Sequence, residues 1–134
     1  MFARDTTDSW AYTTTSYREA NGGSTLGTSR VGFVIGVAED VVTARSVSYA
    51  NVSGGAALLG TGIGLDNTTN AANITLPSTA VISAANASST AFYNSIIAAG
   101  GHFLAWLEYG GANATFFGDG GSFYQNGLDA TIMG

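Results

Sequence analysis

The feature that most constrains the fold is a two-residue alternation of side chains in Arg30–Val37. Four apolar side chains occupy every second position, and glycine occupies two of the positions between them. A period of two is the repeat of a β-strand, because successive side chains point to opposite faces of a sheet. Further strand-like segments follow at Val41–Tyr49, Gly60–Leu65, Gly101–Tyr109 and Leu128–Met133. Short segments rich in Gly, Asn and Asp separate them, as is typical of turns, so the chain is predicted to be all-β.

The spacing of these short strands and the absence of a long helical period favour a β-sandwich or a barrel, and of the two we predict an antiparallel β-sandwich. Residues 1–24 differ from the rest because they are polar and end in Asn21-Gly22-Gly23-Ser24. We therefore predict an N-terminal arm or edge strand at 1–24 and a β-sandwich domain at 25–134. Residues 71–90 show no clear pattern, and Ala91–Ala99 fit either a strand or a short helix.

The clearest local prediction is a β-hairpin over Gly101–Asp119. Two runs rich in aromatic residues flank the connector Gly110–Asn113, and such a connector is typical of a hairpin. In that hairpin Glu108 and Asp119 would face each other, as the two carboxyl groups of a glycosidase do. The small size of the chain favours the simpler interpretation that both are solvated carboxylates at strand ends.

Glycine occupies every second position of Gly60–Gly64. The segment matches neither a dinucleotide-binding fingerprint nor a phosphate loop, and the chain has no lysine to complete the latter. A glycine face on a strand permits close approach of another backbone or of an aromatic ring, which is the role predicted here.

Side chains that perform covalent or acid–base chemistry are scarce. The 134 residues include no cysteine and a single histidine, His102. Without cysteine the chain can form neither disulfides nor thiolate sites. A Ser-His-Asp triad would depend on His102, and the Gly-x-Ser-x-Gly segment of many hydrolases is absent. His102 is therefore predicted to be a structural, hydrogen-bonded residue, and the protein is predicted not to be an enzyme.

The charge pattern argues against binding to nucleic acid or to a membrane. The net charge is −5, and all positively charged side chains are arginines dispersed along the chain, at Arg4, Arg18, Arg30 and Arg45. Dispersed cations cannot neutralise several phosphates or an anionic lipid surface. The loops at Asp66-Asn67 and 118–121 offer oxygen ligands for Ca²⁺, but each has one carboxylate, so neither a metal nor a cofactor is predicted.

Most of the aromatic residues are candidates for the core. Six large apolar side chains are predicted to point inward: Phe33, Phe103, Trp106, Leu107, Phe116 and Phe117. Trp10, Tyr12 and Tyr17 lie instead in the polar segment 1–24. They either pack onto their own domain or dock onto a neighbouring subunit, and they are the predicted partner-binding residues.

Five segments together resemble small β-sandwich proteins of tailed bacteriophage particles: Tyr17–Asn21, Gly32–Asp40, Gly62–Asp66, Gly101–Glu108 and Thr115–Asp119. Proteins of this kind are head-decoration proteins, head fibres or fibre-tip domains. The resemblance implies a jelly-roll-like virion module that forms a homotrimer and binds the major capsid protein or other virion proteins. It implies no catalytic residue and no cofactor.

A second function class is a receptor- or glycan-binding module at a fibre tip. Glycan sites combine a stacking ring with fixed polar groups, and the loops at 66–73 and 119–126 contain such residues. Tyr124, Gln125 and Asn126 are the candidates for contact with a host-surface glycan.

Overall fold

The computed structural model describes residues 1–72, 79–81, 85–118 and 126–133. Within these ranges the regular elements are β-strands and one 3₁₀ turn at Ala20–Gly22. The strands are β1 (Phe2–Ala3), β2 (Ser9–Ala11), β3 (Tyr17–Glu19), β4 (Arg30–Ile35), β5 (Val41–Val52), β6 (Ala57–Leu65), β7 (Thr79–Val81), β8 (Ala85–Ile96), β9 (Gly100–Tyr109), β10 (Ala114–Phe117) and β11 (Gly127–Met133). The prediction of an all-β chain is confirmed, and all pairings between these strands are antiparallel.

The first sheet, sheet A, is built around β5 and also contains β1, β2, β8, β10 and β11. Strand β8 pairs along one side of β5 for its whole length, from Val41 opposite Ile96 to Val52 opposite Ala85. On the other side, β11 pairs with the first half of β5 and β10 with the second half. Strand β1 lies beyond β11, and β2 lies beyond β10.

The second sheet, sheet B, is built around β9 in the same way. Strand β6 pairs with one side of β9, and β4 and β3 share the other side. Strand β7 pairs with the beginning of β6, at Ala57–Leu59. Each sheet thus has one long central strand with a long partner on one side and two shorter strands that divide its length on the other side.

The inner faces of the two sheets contact each other through tryptophan and small polar side chains. Trp106 of β9 packs edge-on against Trp10 of β2, with ring centroids 6.2 Å apart, and its Nε1 donates a hydrogen bond of 2.8 Å to Ser48 Oγ. Ser46 Oγ lies 3.2 Å from Thr61 Oγ1, so small hydroxyl side chains fill the space between β5 and β6. The six inward side chains of β5 are all buried: Val42, Ala44, Ser46, Ser48, Ala50 and Val52.

The alternation in Arg30–Val37 corresponds to β4. Val31, Phe33 and Ile35 are buried as the period-two pattern predicts, whereas Val37 is exposed because the strand ends at Ile35. Ala91–Ala99, which fitted a strand or a helix equally well, lies mostly in a strand that begins earlier, at Ala85.

The predicted hairpin over Gly101–Asp119 is wrong. Strand β9 belongs to sheet B and β10 belongs to sheet A, and they pair with different strands. The connector crosses from one sheet to the other, and a Cβ at Gly110 would overlap the carbonyl oxygen of Tyr12. A Cβ at Gly111 would lie 2.9 Å from Ala57 Cβ. The glycines are therefore needed for this tight crossing, because no side chain fits there.

The glycine face of Gly60–Gly64 has the predicted role. A Cβ at Gly64 would overlap the carbonyl oxygen of Asn67, and a Cβ at Gly62 would lie 3.2 Å from the Tyr17 ring. The segment after β6 folds back over this face, where the Ala72 N–H donates a hydrogen bond of 2.7 Å to the Ile63 carbonyl oxygen. Both a backbone and an aromatic ring thus approach the strand closely.

Four of the six side chains predicted to be in the core are buried: Phe33, Trp106, Leu107 and Phe116. Phe103 and Phe117 are half-buried instead. Adjacent residues of a strand point to opposite faces, so Phe116 and Phe117 cannot both face inward. Trp106 and Leu107 are both buried because Tyr17 and the segment after β6 cover part of the outer face of sheet B.

Candidate interaction surface

The three predicted partner-binding residues all have contacts within their own chain. Trp10 and Tyr12 are each 9% exposed, and the Tyr12 hydroxyl donates a hydrogen bond of 2.7 Å to the Ser16 carbonyl oxygen. Tyr17 is half-buried, with its ring centroid 5.3 Å from that of Tyr109. These residues belong to a segment whose short strands β1, β2 and β3 each lie at the edge of a sheet. Their role in binding a partner stays a prediction.

Glu108 forms a buried ionic cluster with two residues of the N-terminal segment. Its side chain is fully buried, Oε2 accepts a hydrogen bond of 2.6 Å from Trp10 Nε1, and Oε1 accepts one of 2.7 Å from Arg18 Nε. The Arg18 guanidinium also stacks on the Tyr12 ring, 3.9 Å from its centroid. Burial raises the pKa of Glu108 above its ordinary value, while Trp10 and Arg18 act in the opposite direction.

The alternative in which Glu108 faces Asp119 depended on the hairpin, which does not form, and Asp119 lies outside the described residues. The favoured interpretation of Glu108 as a solvated carboxylate is also wrong, because its side chain is fully buried. A carboxyl group that is fully buried and already bound by Trp10 and Arg18 has no surface to present to a substrate. The cluster therefore links the two sheets, since Trp10 belongs to sheet A and Glu108 to sheet B.

His102 is held between two hydrogen-bond acceptors. Nδ1 lies 2.7 Å from Asp66 Oδ2, and Nε2 lies 2.9 Å from the Ala98 carbonyl oxygen. Both contacts are satisfied only when each ring nitrogen carries a proton, which is the imidazolium form. The hydrogen bond to Asp66 raises the pKa of His102, and the contact with Ala98 adds to this effect. An imidazolium in this arrangement connects two loops and cannot accept a further proton.

The oxygen-rich loop at Asp66-Asn67 is occupied by its own chain. Asp66 Oδ1 accepts a hydrogen bond of 2.9 Å from the Phe103 N–H, and Asn67 Oδ1 accepts bonds from the backbone of Thr69 and Asn70. The second predicted loop, 118–121, lies outside the described residues apart from Gly118. The described residues contain no group of three His, Asp or Glu side chains that could hold a metal ion.

Of the three candidates for glycan contact, Tyr124 and Gln125 lie outside the described residues. Asn126 is buried, and its Nδ2 donates a hydrogen bond of 2.7 Å to the Phe117 carbonyl oxygen. Its amide thus supports the end of β10.

The outer face of sheet A carries an apolar surface that the sequence alone did not reveal. Cross-strand pairing places Phe92, Arg45, Asp129 and Phe2 in one row across β8, β5, β11 and β1. Phe92 and Phe2 are 54% and 65% exposed, and a second row contributes exposed Ile96 and Met133 on either side of Val41. Hereafter "the outer face" means these two rows.

The charges on the outer face are nearly balanced. Arg45 Nη2 lies 3.6 Å from Asp129 Oδ2, and both side chains are more than half exposed. A shallow depression of about 390 Å³ lies at this pair and is bordered by Phe92. The alternation in Val41–Tyr49 was visible in the sequence, but periodicity alone did not show which of its two sets of side chains faces the core.

Comparisons with family models, curated proteins and solved structures found no match to this chain. Within the described residues, no helix has the length and apolar character needed to cross a membrane.

Proposed function

We propose that this chain is a non-enzymatic structural module of a virion that associates with further copies of itself through the outer face. The observation that carries the proposal is the exposure of Phe2, Phe92, Ile96 and Met133 on one side of sheet A. An exposed apolar patch with a polar rim is typical of a protein–protein contact. The nearly balanced charge of the patch suits contact between copies whose net charge is −5 each.

The resemblance to bacteriophage head-decoration, head-fibre and fibre-tip proteins supports the biological setting of this proposal. In that setting the two sheets form a jelly-roll-like sandwich, three copies assemble, and the assembly binds the major capsid protein or another virion protein. Only 10% of the residues are Asp, Glu, Lys or Arg, and such a low fraction of charged residues suits a module that packs against other virion proteins.

Sedimentation velocity of the purified chain tests the self-association. We expect concentration-dependent oligomers, and we expect Phe2→Ser combined with Phe92→Ser to weaken association. Burying a Phe side chain contributes about 1.5–3 kcal/mol, and each 1.4 kcal/mol corresponds to about tenfold in affinity, so the loss should exceed about tenfold.

Val34→Ser is the matched control, because Val34 is 76% exposed but lies on the outer face of sheet B. Equal loss of association in the control would show that the contact does not lie on sheet A. A wild-type chain that stays monomeric at all concentrations would overturn the self-association.

The virion setting has a separate test. Mass spectrometry of purified particles from the source of this chain should detect its peptides at a fixed ratio to the major capsid protein. Their absence from intact particles would overturn the setting and leave the self-association to be judged from the sedimentation data.

A further inference from the structure

We propose that the edge of β8 that points away from β5 pairs with β8 of a second copy, so that two copies share one continuous antiparallel sheet. This inference rests on the proposed self-association and names a second contact for it, formed by backbone hydrogen bonds rather than by the outer face.

Strand β8 is a long strand with one partner. Its 12 residues pair with β5 on one side, and among the described residues no strand pairs with its other side. At about 3.4 Å per residue the strand is roughly 40 Å long. The N–H and C=O groups that point away from β5 form a row of donors and acceptors suited to pairing with another strand.

Within Ala85–Ile96 itself, the strand lacks the sequence features by which proteins commonly protect an edge. Edge strands are commonly short, charged, interrupted by proline or bulged. Ala85–Ile96 contains no Asp, Glu, Lys, Arg or Pro, and its register with β5 is unbroken over the whole length. By contrast, β1, β2, β3 and β7 have only two or three residues each.

The charge distribution favours a second copy as the partner. Copies with a net charge of −5 repel each other, so contact is favoured where negative charge is sparse. Residues 67–107 contain no Asp, Glu, Lys or Arg, and β8 lies within this stretch. Two identical antiparallel edges are complementary to each other about a two-fold axis, because each donor of one copy meets an acceptor of the other.

The edge is also continuous with the outer face. Phe92 and Ile96 project from β8 on that face, so pairing two edges brings the apolar rows of both copies together. If the outer face builds a trimer, the edges join two trimers into a complex of six copies. Without such a trimer, the edges produce a dimer. In both cases the number of copies is even.

Two lysine substitutions distinguish the edge from the outer face. Asn94, Thr43 and Thr131 form one cross-strand row on β8, β5 and β11, so Asn94→Lys adds a charge at the edge and Thr43→Lys adds it one strand inward. In sedimentation velocity we expect Thr43→Lys to weaken association because Thr43 lies between the two rows of the outer face, and we expect Asn94→Lys to weaken it at least tenfold further because it also disturbs the edge. Equal loss in both variants would assign the contact to the outer face and overturn edge pairing while self-association stands.

Hydrogen exchange of the wild-type chain gives a second readout that does not depend on any variant. The amides of 85–96 that point away from β5 should exchange at least tenfold more slowly when the chain is associated, while amides of 85–96 and 127–133 that are already hydrogen-bonded to β5 should change little. Unchanged exchange in 85–96, or a mass of three copies, would overturn edge pairing and leave self-association intact. A monomer at every concentration would overturn both.

Ser88→Lys repeats the charge test elsewhere on β8 if Asn94→Lys does not fold, as judged by circular dichroism.

Discussion

Trp10 donates a hydrogen bond of 2.6 Å from its indole Nε1 to Oε2 of Glu108, a carboxyl group with no exposure to solvent. The two residues are 98 positions apart, and the bond joins β2 of sheet A to β9 of sheet B. Arg18 supplies the compensating charge at the other carboxyl oxygen. This contact anchors the N-terminal segment to the centre of the second sheet.

Trp10→Phe is expected to lower the free energy of unfolding by about 2–3 kcal/mol, because a buried hydrogen bond to a charged group is lost. Urea denaturation followed by circular dichroism measures the change. The control is Tyr12→Phe, which removes a hydroxyl donor to the Ser16 carbonyl and should cost only about 0.5–1.5 kcal/mol. A smaller cost for Trp10→Phe than for Tyr12→Phe would contradict the importance of the charged acceptor.

Glu108→Gln should change how stability depends on pH. Burial raises the pKa of Glu108 in the folded protein above its ordinary 4.5, so the unfolded chain releases this proton first as the pH rises. The contribution of Glu108 is therefore most favourable below about pH 4.5 and is lost as the pH rises through the folded pKa. The wild-type chain should lose stability relative to Glu108→Gln over that interval. The opposite slope, measured by urea titration at several pH values, would show that Arg18 outweighs burial.

His102 should give a pH dependence in a different range. Its pKa is raised in the folded protein by the hydrogen bond to Asp66, so its contribution to stability is fully present below the ordinary 6.5 and is lost as the pH rises through the folded pKa. The NMR titration of the imidazole should have its midpoint above 6.5, and Asp66→Asn should lower it. A midpoint at or below 6.5 in the wild-type chain would contradict the two-acceptor arrangement.

The contribution of Asp66 to stability should change with pH in the acid range. Although burial acts to raise its pKa, the hydrogen bonds from His102 and from the Phe103 N–H lower the pKa of Asp66 below 3.8. Its contribution is present above that value and is lost as the pH falls through the folded pKa. Asp66→Asn should therefore remove stability at neutral pH and remove less of it as the pH falls below 3.8 and through the folded pKa. An equal loss at neutral pH and at acid pH in urea denaturation would be inconsistent with this linkage.

Gly110→Ala should be among the most damaging small substitutions. The added Cβ would overlap the Tyr12 carbonyl oxygen at the crossing between the sheets, so backbone must move, and we expect a cost of about 3 kcal/mol or more. Gly101→Ala is the control, because a Cβ there has no neighbour within 4 Å. Thermal unfolding should show a large drop in Tm for the first variant and almost none for the second. Equal effects would indicate that the crossing can adapt.

The all-β class of the chain, the positions of several strands and the alternation of their side chains are readable from the amino-acid sequence. These properties follow from a period of two, which is set by the backbone of each strand and is readable within about six to ten residues. The glycine face of Gly60–Gly64 was likewise predictable, because a missing Cβ has the same steric meaning in any strand.

Strand pairing and the choice of buried face depend instead on contacts between distant segments of the folded chain. The runs around Gly110 looked like a hairpin, but the connector carries the chain to the other sheet, where β10 finds β5 and β2. Strand β8 shows weak alternation, and its identity as a strand came from pairing with β5 along its whole length. The outer face could be identified only in the folded structure. Alternation defines two sets of side chains on a strand, but distant segments that pack against the strand decide which set is buried. Period is a local property of the backbone, whereas pairing and burial are properties of contacts between residues far apart in the chain.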